Sequence, residues 1–126
     1  MALEIIWEPY GVYRRFYGAV TRHDLVRSVA EVHTSPQFDT LYYSINDLSS
    51  VTEIAINASA VEGVATQALG AALSNNRLIM VFVAHSEKLL SLAKIFSNPM
   101  YQSFPAQYFS TLEEARAFVS TRLPKT

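Results

Sequence analysis

The sequence predicts an α/β domain of order ββαβαβαβα, with a mixed, mostly parallel five-stranded sheet and four helices. Three observations carry that prediction. The first residues alternate in polarity into a Pro-Tyr-Gly turn, the pattern of an antiparallel hairpin. From Thr21 onward, helical and strand-like patterns alternate, and strands separated by helices pair in parallel. The run Leu78–Ala84 is apolar throughout, as in a central strand covered on both faces.

Leu3, Ile5 and Trp7 alternate with Glu4, Ile6 and Glu8 as the first strand. In Glu8-Pro9-Tyr10-Gly11, proline presets the second turn position and glycine suits the last. Val12 to Tyr17, rich in aromatic and branched residues, is the second strand. Thr21 caps a helix whose apolar side is Leu25, Val29 and Val32, with Asp24 near its positive end. Pro36 ends that segment, Leu41 to Asn46 is the third strand, and Asp47-Leu48-Ser49-Ser50-Val51-Thr52 reads as a loop. Val61, Val64, Ala65, Ala68, Leu69, Ala72 and Leu73 then recur at helical spacing. Ser59 and Glu62 have the form of a capping box for that helix, and Asn75-Asn76 closes it. Ser86 caps a helix presenting Leu89, Leu92, Ala93 and Phe96, stopped near Asn98-Pro99. Gln107 to Phe109 is the last strand, and Thr111 with Glu114 forms a capping box ahead of Leu112, Ala115, Phe118 and Val119.

A chain of 126 residues, half of them apolar, has the size of one domain, and residues 1–126 are expected to form one. There is no cysteine, which excludes thiol catalysis, disulfides and cysteine-ligated zinc and suits a reducing cytosol. The net charge of −1 is spread without a basic stripe, so no nucleic-acid partner is expected. No basic region precedes an apolar stretch at the start, and Leu78–Ala84 is about a third of a membrane span, so a cytoplasmic location is expected.

His23, His33 and His85 lack companions at metal-ligand spacing, so no metal is expected, and the three read as solvent-facing or capping residues. Neither GxGxxG nor a Walker loop is present, and Gly63 and Gly70 fall inside a predicted helix, so no cofactor is expected. Asp47 and Ser49 stand at the carboxyl end of a parallel strand, where open α/β sheets place ligands. With His85 they are the best catalytic candidates, but no glycine-flanked oxyanion turn accompanies them, and an enzyme is not expected.

Two stretches invite a binding role. From Thr52 to Asn76 the only charges are Glu53 and Glu62, which leaves a small, smooth outer helix face at Gly63, Thr66, Gln67, Gly70, Ala71 and Ser74. Such a face suits a protein partner, a second copy in a homodimer, or a lipid surface. An alanine-rich, merely soluble helix reads the same way. Phe96 to Pro105 is a loop-like segment holding Met100, Tyr101 and Phe104, which either folds back on the core or covers an apolar pocket.

The element order and Asp47-Leu48-Ser49-Ser50-Val51-Thr52 resemble the SpoIIAA-like group of STAS-related domains. Ile6-Trp7-Glu8-Pro9-x-Gly11-Val12-Tyr13-x-x-Phe16-x-Gly18, Pro36-x-Phe38-Asp39, Ile45-Asn46-Asp47 and Phe109-Ser110-Thr111-Leu112-x-Glu114-Ala115-Arg116 resemble its bacterial stand-alone branch. The resemblance spans nearly the whole chain. It implies a regulatory module in which a serine opening the second helix is phosphorylated. Ser59 is the nearest match, without the preceding acid or following glycine, and capping explains the same residue. For the stand-alone branch the resemblance also implies apolar-ligand binding or membrane association.

The leading expectation is a non-enzymatic binding and regulatory module. Its contact surface would be Asp47, Ser49, Ser59, Glu62, Thr66, Gln67, Gly70 and Ala71. The alternative is a carrier of a small apolar molecule or lipid, held by Phe82, Phe96, Met100, Tyr101 and Phe104.

Overall fold

The computed structural model describes residues 3–55, 59, 75, 77–96 and 105–124. A five-stranded sheet runs in the order β1-β2-β3-β4-β5, built from Leu3–Trp7, Gly11–Thr21, Tyr43–Ala55, Ile79–Val83 and Ala106–Phe109. β1 and β2 are antiparallel, and every later pairing is parallel. Among the described residues there are three α-helices: α1 (Arg22–His33), α2 (Glu87–Phe96) and α3 (Leu112–Ser120). The helix expected between Ser59 and Asn75 falls almost wholly outside the described residues.

The hairpin forms as its turn chemistry dictates. Glu8 and Gly11 exchange backbone hydrogen bonds of 2.8 and 3.4 Å. Gly11 also lies under the Tyr43 ring, so close that a Cβ would come within 2.3 Å of it. Only glycine permits that approach.

The largest departure from the sequence reading is in β2 and β3. The segment 47–52 is not a loop: β3 continues through it to Ala55. β2 likewise continues past Tyr17 to Thr21. The register moves from Arg15↔Asp47 to Tyr17↔Ser50 and from Gly18↔Val51 to Ala19↔Glu53, so each shift inserts one extra residue in β3. Gly18 takes a φ of +64 beside the second shift, a conformation that side chains disfavour. Two bulges break the polar–apolar alternation, and the broken alternation reads as a loop in sequence.

Thr21 caps α1 as expected: its Oγ1 accepts from the Asp24 N–H at 3.4 Å, while Asp24 Oδ2 accepts from the Thr21 N–H at 2.9 Å. Pro36 begins a short 3₁₀ turn, Pro36–Thr40, that the sequence reading did not anticipate. It is held by Asn75, whose amide donates to the carbonyls of Phe38 and Leu41 and whose Oδ1 accepts from the N–H groups of Arg77 and Leu78. Ser86 and Thr111 accept at the N-termini of α2 and α3. The Glu114 carboxylate takes the hydroxyls of Thr111 and Ser110, not the backbone N–H of a full capping box.

The sheet has a core on each face. The front, under α1 and α2, gathers Val12, Val29, Val32, Phe38, Met80, Phe82 and Ala93, and extends over β1 and β2 through Leu3, Phe16 and Val20. The back, under α3, gathers Tyr13, Tyr43, Ile45, Ile79, Val81, Ala115 and Val119. β4 is buried along its whole length, which is why it reads as an unbroken apolar run.

Candidate functional site

The two-residue period of β2 sends Val12, Arg14 and Phe16 to the front and Tyr13 and Arg15 to the back. Arg14 therefore enters an apolar layer. It is only 2% exposed. Its Nη2 donates to Ser44 Oγ at 2.8 Å and its Nη1 to Ser28 Oγ at 3.0 Å, which ties β2 to β3 and to α1. Its Nε–H has no hydrogen-bond partner among the described residues. No carboxylate pairs with it among the described residues, and burial lowers its pKa to about 10, so it stays charged at neutral pH.

Arg14 and Ser28 line a cavity of about 60 Å³ between the front of the sheet and the two helices. The strands supply Phe16, Val20, Asn46, Leu48, Val51, Ile54 and Phe82. The helices supply Leu25 and Val29 from α1, and Leu89, Leu92 and Ala93 from α2. Asn46 and Leu48 face this space by strand alternation, and the bulges of β3 bring Val51 and Ile54 to the same side. The volume holds several water-sized groups, since one water occupies roughly 10–15 Å³ on this measure. Behind Arg14, His33 packs on Phe38 with ring centroids 4.9 Å apart. Burial, with the Arg14 charge second, lowers the His33 pKa to about 3, so the ring is neutral. It is half-buried, not the solvent-facing histidine expected, whereas His23 and His85 are exposed.

On the back face Arg116 and Glu8 form a matched pair. Arg116 makes a two-pronged contact with Glu8, at 2.6 and 2.7 Å, and the Tyr43 hydroxyl donates to the same carboxylate. The bond from Arg116 pulls the Glu8 pKa down despite partial burial, and the bond to Glu8 pushes the Arg116 pKa up. Burial and the Glu8 bond raise the Tyr43 pKa to about 12. Asp47 Oδ2 accepts from the Tyr13 hydroxyl at 2.5 Å, and its Oδ1 accepts from the Ser49 N–H at 3.0 Å and hydroxyl at 2.6 Å. Burial first, and the Asp47 bond second, push the Tyr13 pKa up, so its hydroxyl keeps its proton.

The structure brings only some of the expected residues to a site. Asp47 is 4% exposed, with both oxygens occupied inside the strand ladder, so it orders the first β3 bulge and offers nothing to a surface partner. Ser49 and Ser59 are exposed. His85 is exposed and forms no hydrogen bond with Asp47 or Ser49, so the catalytic trio does not assemble. Phe82 lines the cavity. Glu62, Thr66, Gln67, Gly70, Ala71, Met100, Tyr101, Phe104 and the side chain of Phe96 lie outside the described residues. Arg14 was missed, although a charge between Val12 and Phe16 at two-residue spacing was the signal that could have found it.

Among the described residues no cluster of three or more acidic or histidine side chains could hold a metal ion. No described helix is long and apolar enough to cross a membrane.

No family model and no curated protein matches the chain. Solved structures do. The anti-sigma factor antagonist SpoIIAA in its unphosphorylated form superposes with a TM-score of 0.62 at 14% identity, covering 94% of this chain and 98% of that one. The fold is SpoIIAA-like. The phosphorylated form of SpoIIAA, titled a Bacillus cell fate determinant, gives a TM-score of 0.56 at 17% identity over 94% and 99% of the chains. An uncharacterized DUF3478 protein from Shewanella loihica PV-4, itself described as having a SpoIIAA-like fold, gives 0.55 at 11% identity over 93% and 91%. Within this fold the front cavity sets Arg14 against a mainly apolar wall.

Proposed function

We propose that this chain is a non-enzymatic binding domain that takes a small, mainly apolar molecule into the cavity between the sheet and helices α1 and α2. The observation that carries the reading is the cavity itself, walled mainly by Phe16, Val20, Leu48, Val51, Phe82, Leu89 and Leu92. Pockets of this make-up, concave and apolar with a few polar groups, are the usual place for small ligands. The lack of an assembled acid, base and nucleophile among the described residues favours binding over catalysis. Native mass spectrometry of gently purified protein tests the reading. The expected result is a small adduct, lost on denaturation and absent from Ala93→Phe, whose larger side chain fills the space. A bare mass, together with no response of the Phe82 and Leu92 NMR signals to octanol, overturns it.

A second reading is favoured by the resemblance to an anti-sigma factor antagonist. In it the domain is a regulatory module that binds a protein partner or a second copy through the exposed Ser49 and Ser59 and the charge-poor stretch holding Glu62, Thr66, Gln67, Gly70 and Ala71. Ala71→Arg is then expected to abolish association, measured by sedimentation, without lowering the Tm. Unchanged association removes this reading.

A further inference from the structure

The cavity has one property that an apolar carrier does not need. A guanidinium is rarely buried without a carboxylate, because moving its charge out of water without a counter-charge is costly. Among the described residues, Arg14 is buried with two serine hydroxyls as its only hydrogen-bond partners, and these supply dipoles but no negative charge. Its Nε–H has no partner among the described residues, and the same side chain lines the cavity. The rest of the wall is mainly apolar: Phe16, Leu48, Phe82 and Leu92 offer no hydrogen bond from their side chains.

We infer that the ligand is an anionic amphiphile, with a carboxylate head bound by Arg14 and an apolar tail lying against Phe16, Leu48, Phe82 and Leu92. The inference rests on the cavity reading above and adds the charge of the ligand. The guanidinium fork presents N–H groups in the geometry that carboxylates accept. Ser28 and Ser44 hold that fork from α1 and β3, so the donor is positioned before the ligand arrives. Because burial lowers the Arg14 pKa only to about 10, the head meets a full positive charge at neutral pH. The tail is short where it is enclosed, because the cavity is about 60 Å³.

NMR titration of the full chain with octanoate, octanol and acetate separates the contributions. Octanoate is expected to bind at least about tenfold more tightly than octanol, the difference worth one charge-assisted hydrogen bond. It is also expected to shift the Arg14 Nε–Hε signal, which octanol leaves in place. Acetate, a head without a tail, is expected to bind at least about tenfold more weakly than octanoate. Arg14→Met should erase the preference for octanoate while leaving octanol binding intact. If that variant does not fold, Arg14→Lys and the wild-type Nε–Hε signal decide the matter. Equal binding of octanoate and octanol, or an Arg14 signal unmoved by octanoate, overturns the inference and leaves an uncharged apolar carrier. Acetate binding as tightly as octanoate overturns it in favour of a small-anion site. Failure of all three ligands to bind overturns the cavity reading as well.

Discussion

Arg14 and Arg116 lie on opposite faces of one sheet in opposite circumstances. Arg116, at the edge of the back face, shares two short hydrogen bonds with Glu8, and its charge is stabilised. Arg14, inside the front face, has only hydroxyl partners among the described residues, and its charge is disfavoured. The back face gathers Ile45, Val81, Ala115 and Val119 in its core, while the front keeps a cavity beside its arginine. A fold selected for stability alone would place the paired charge, or no charge, in the more buried position.

Four measurements can break or sharpen that contrast. The largest effect is expected from Ile45→Ala, which opens a hole in the filled back face and should cost about 2–5 kcal/mol in urea unfolding. Leu92→Ala, in the wall of a space already present, should cost less than Ile45→Ala. Equal losses would mean that the two faces are packed alike.

The next effect is on pH dependence, and it separates the faces by their pKa windows. His33 has a folded pKa of about 3 against an ordinary 6.5. Its folded-state pKa is depressed, so the unfolded chain binds more protons in that window and stability falls as pH drops below 6.5. The slope should approach about 1.4 kcal/mol per pH unit. Glu8 is also lowered, so its contribution is present above 4.5 and is lost only as pH falls below that value. His33→Phe should therefore flatten the profile between 6.5 and 4.5 and leave the acid limb in place. A profile that still declines from 6.5 would assign that loss elsewhere.

Enlarging matched alanines gives a third test. Ala115→Leu, in the filled back core, should cost about 1–3 kcal/mol through overpacking. Ala93→Leu, beside the cavity, should change stability by less than about 1 kcal/mol, because space is present to receive the added methyl groups. Comparable losses in Tm would argue that the front space is not available.

The smallest effect is expected from Glu8→Gln. Arg116 is partly exposed, so losing the ionic part of this contact should cost only about 1 kcal/mol at neutral pH, and nothing below the Glu8 titration. A loss that persists at low pH would mean that shape, not charge, dominates the contact.

Much of this architecture was legible in the sequence, because its signals are local. A helix cap such as Thr21 with Asp24, the Glu8–Gly11 turn and the apolar run of β4 each depend on residues within a few positions. β3 was misread for a reason equally physical. Its bulges put Ser49 and Ser50 out of alternation, and only the neighbouring β2 shows that the chain stays extended. The candidate site was legible at one wall residue, Phe82, because a strand signal places it in the sheet but says nothing of the space beside it.

By itself the sequence determined the order of the five strands and the three described helices, and the lack of cysteine chemistry, since each follows from residue identity at short range. Only the tertiary structure decided which arginine would have a counter-charge. Glu8 reaches Arg116 across 108 positions of chain, and Arg14 meets Ser28 and Ser44 from two other elements. Such pairings are set when the faces of the sheet close, because electrostatic matching depends on distance in space and burial, and neither is a property of sequence spacing.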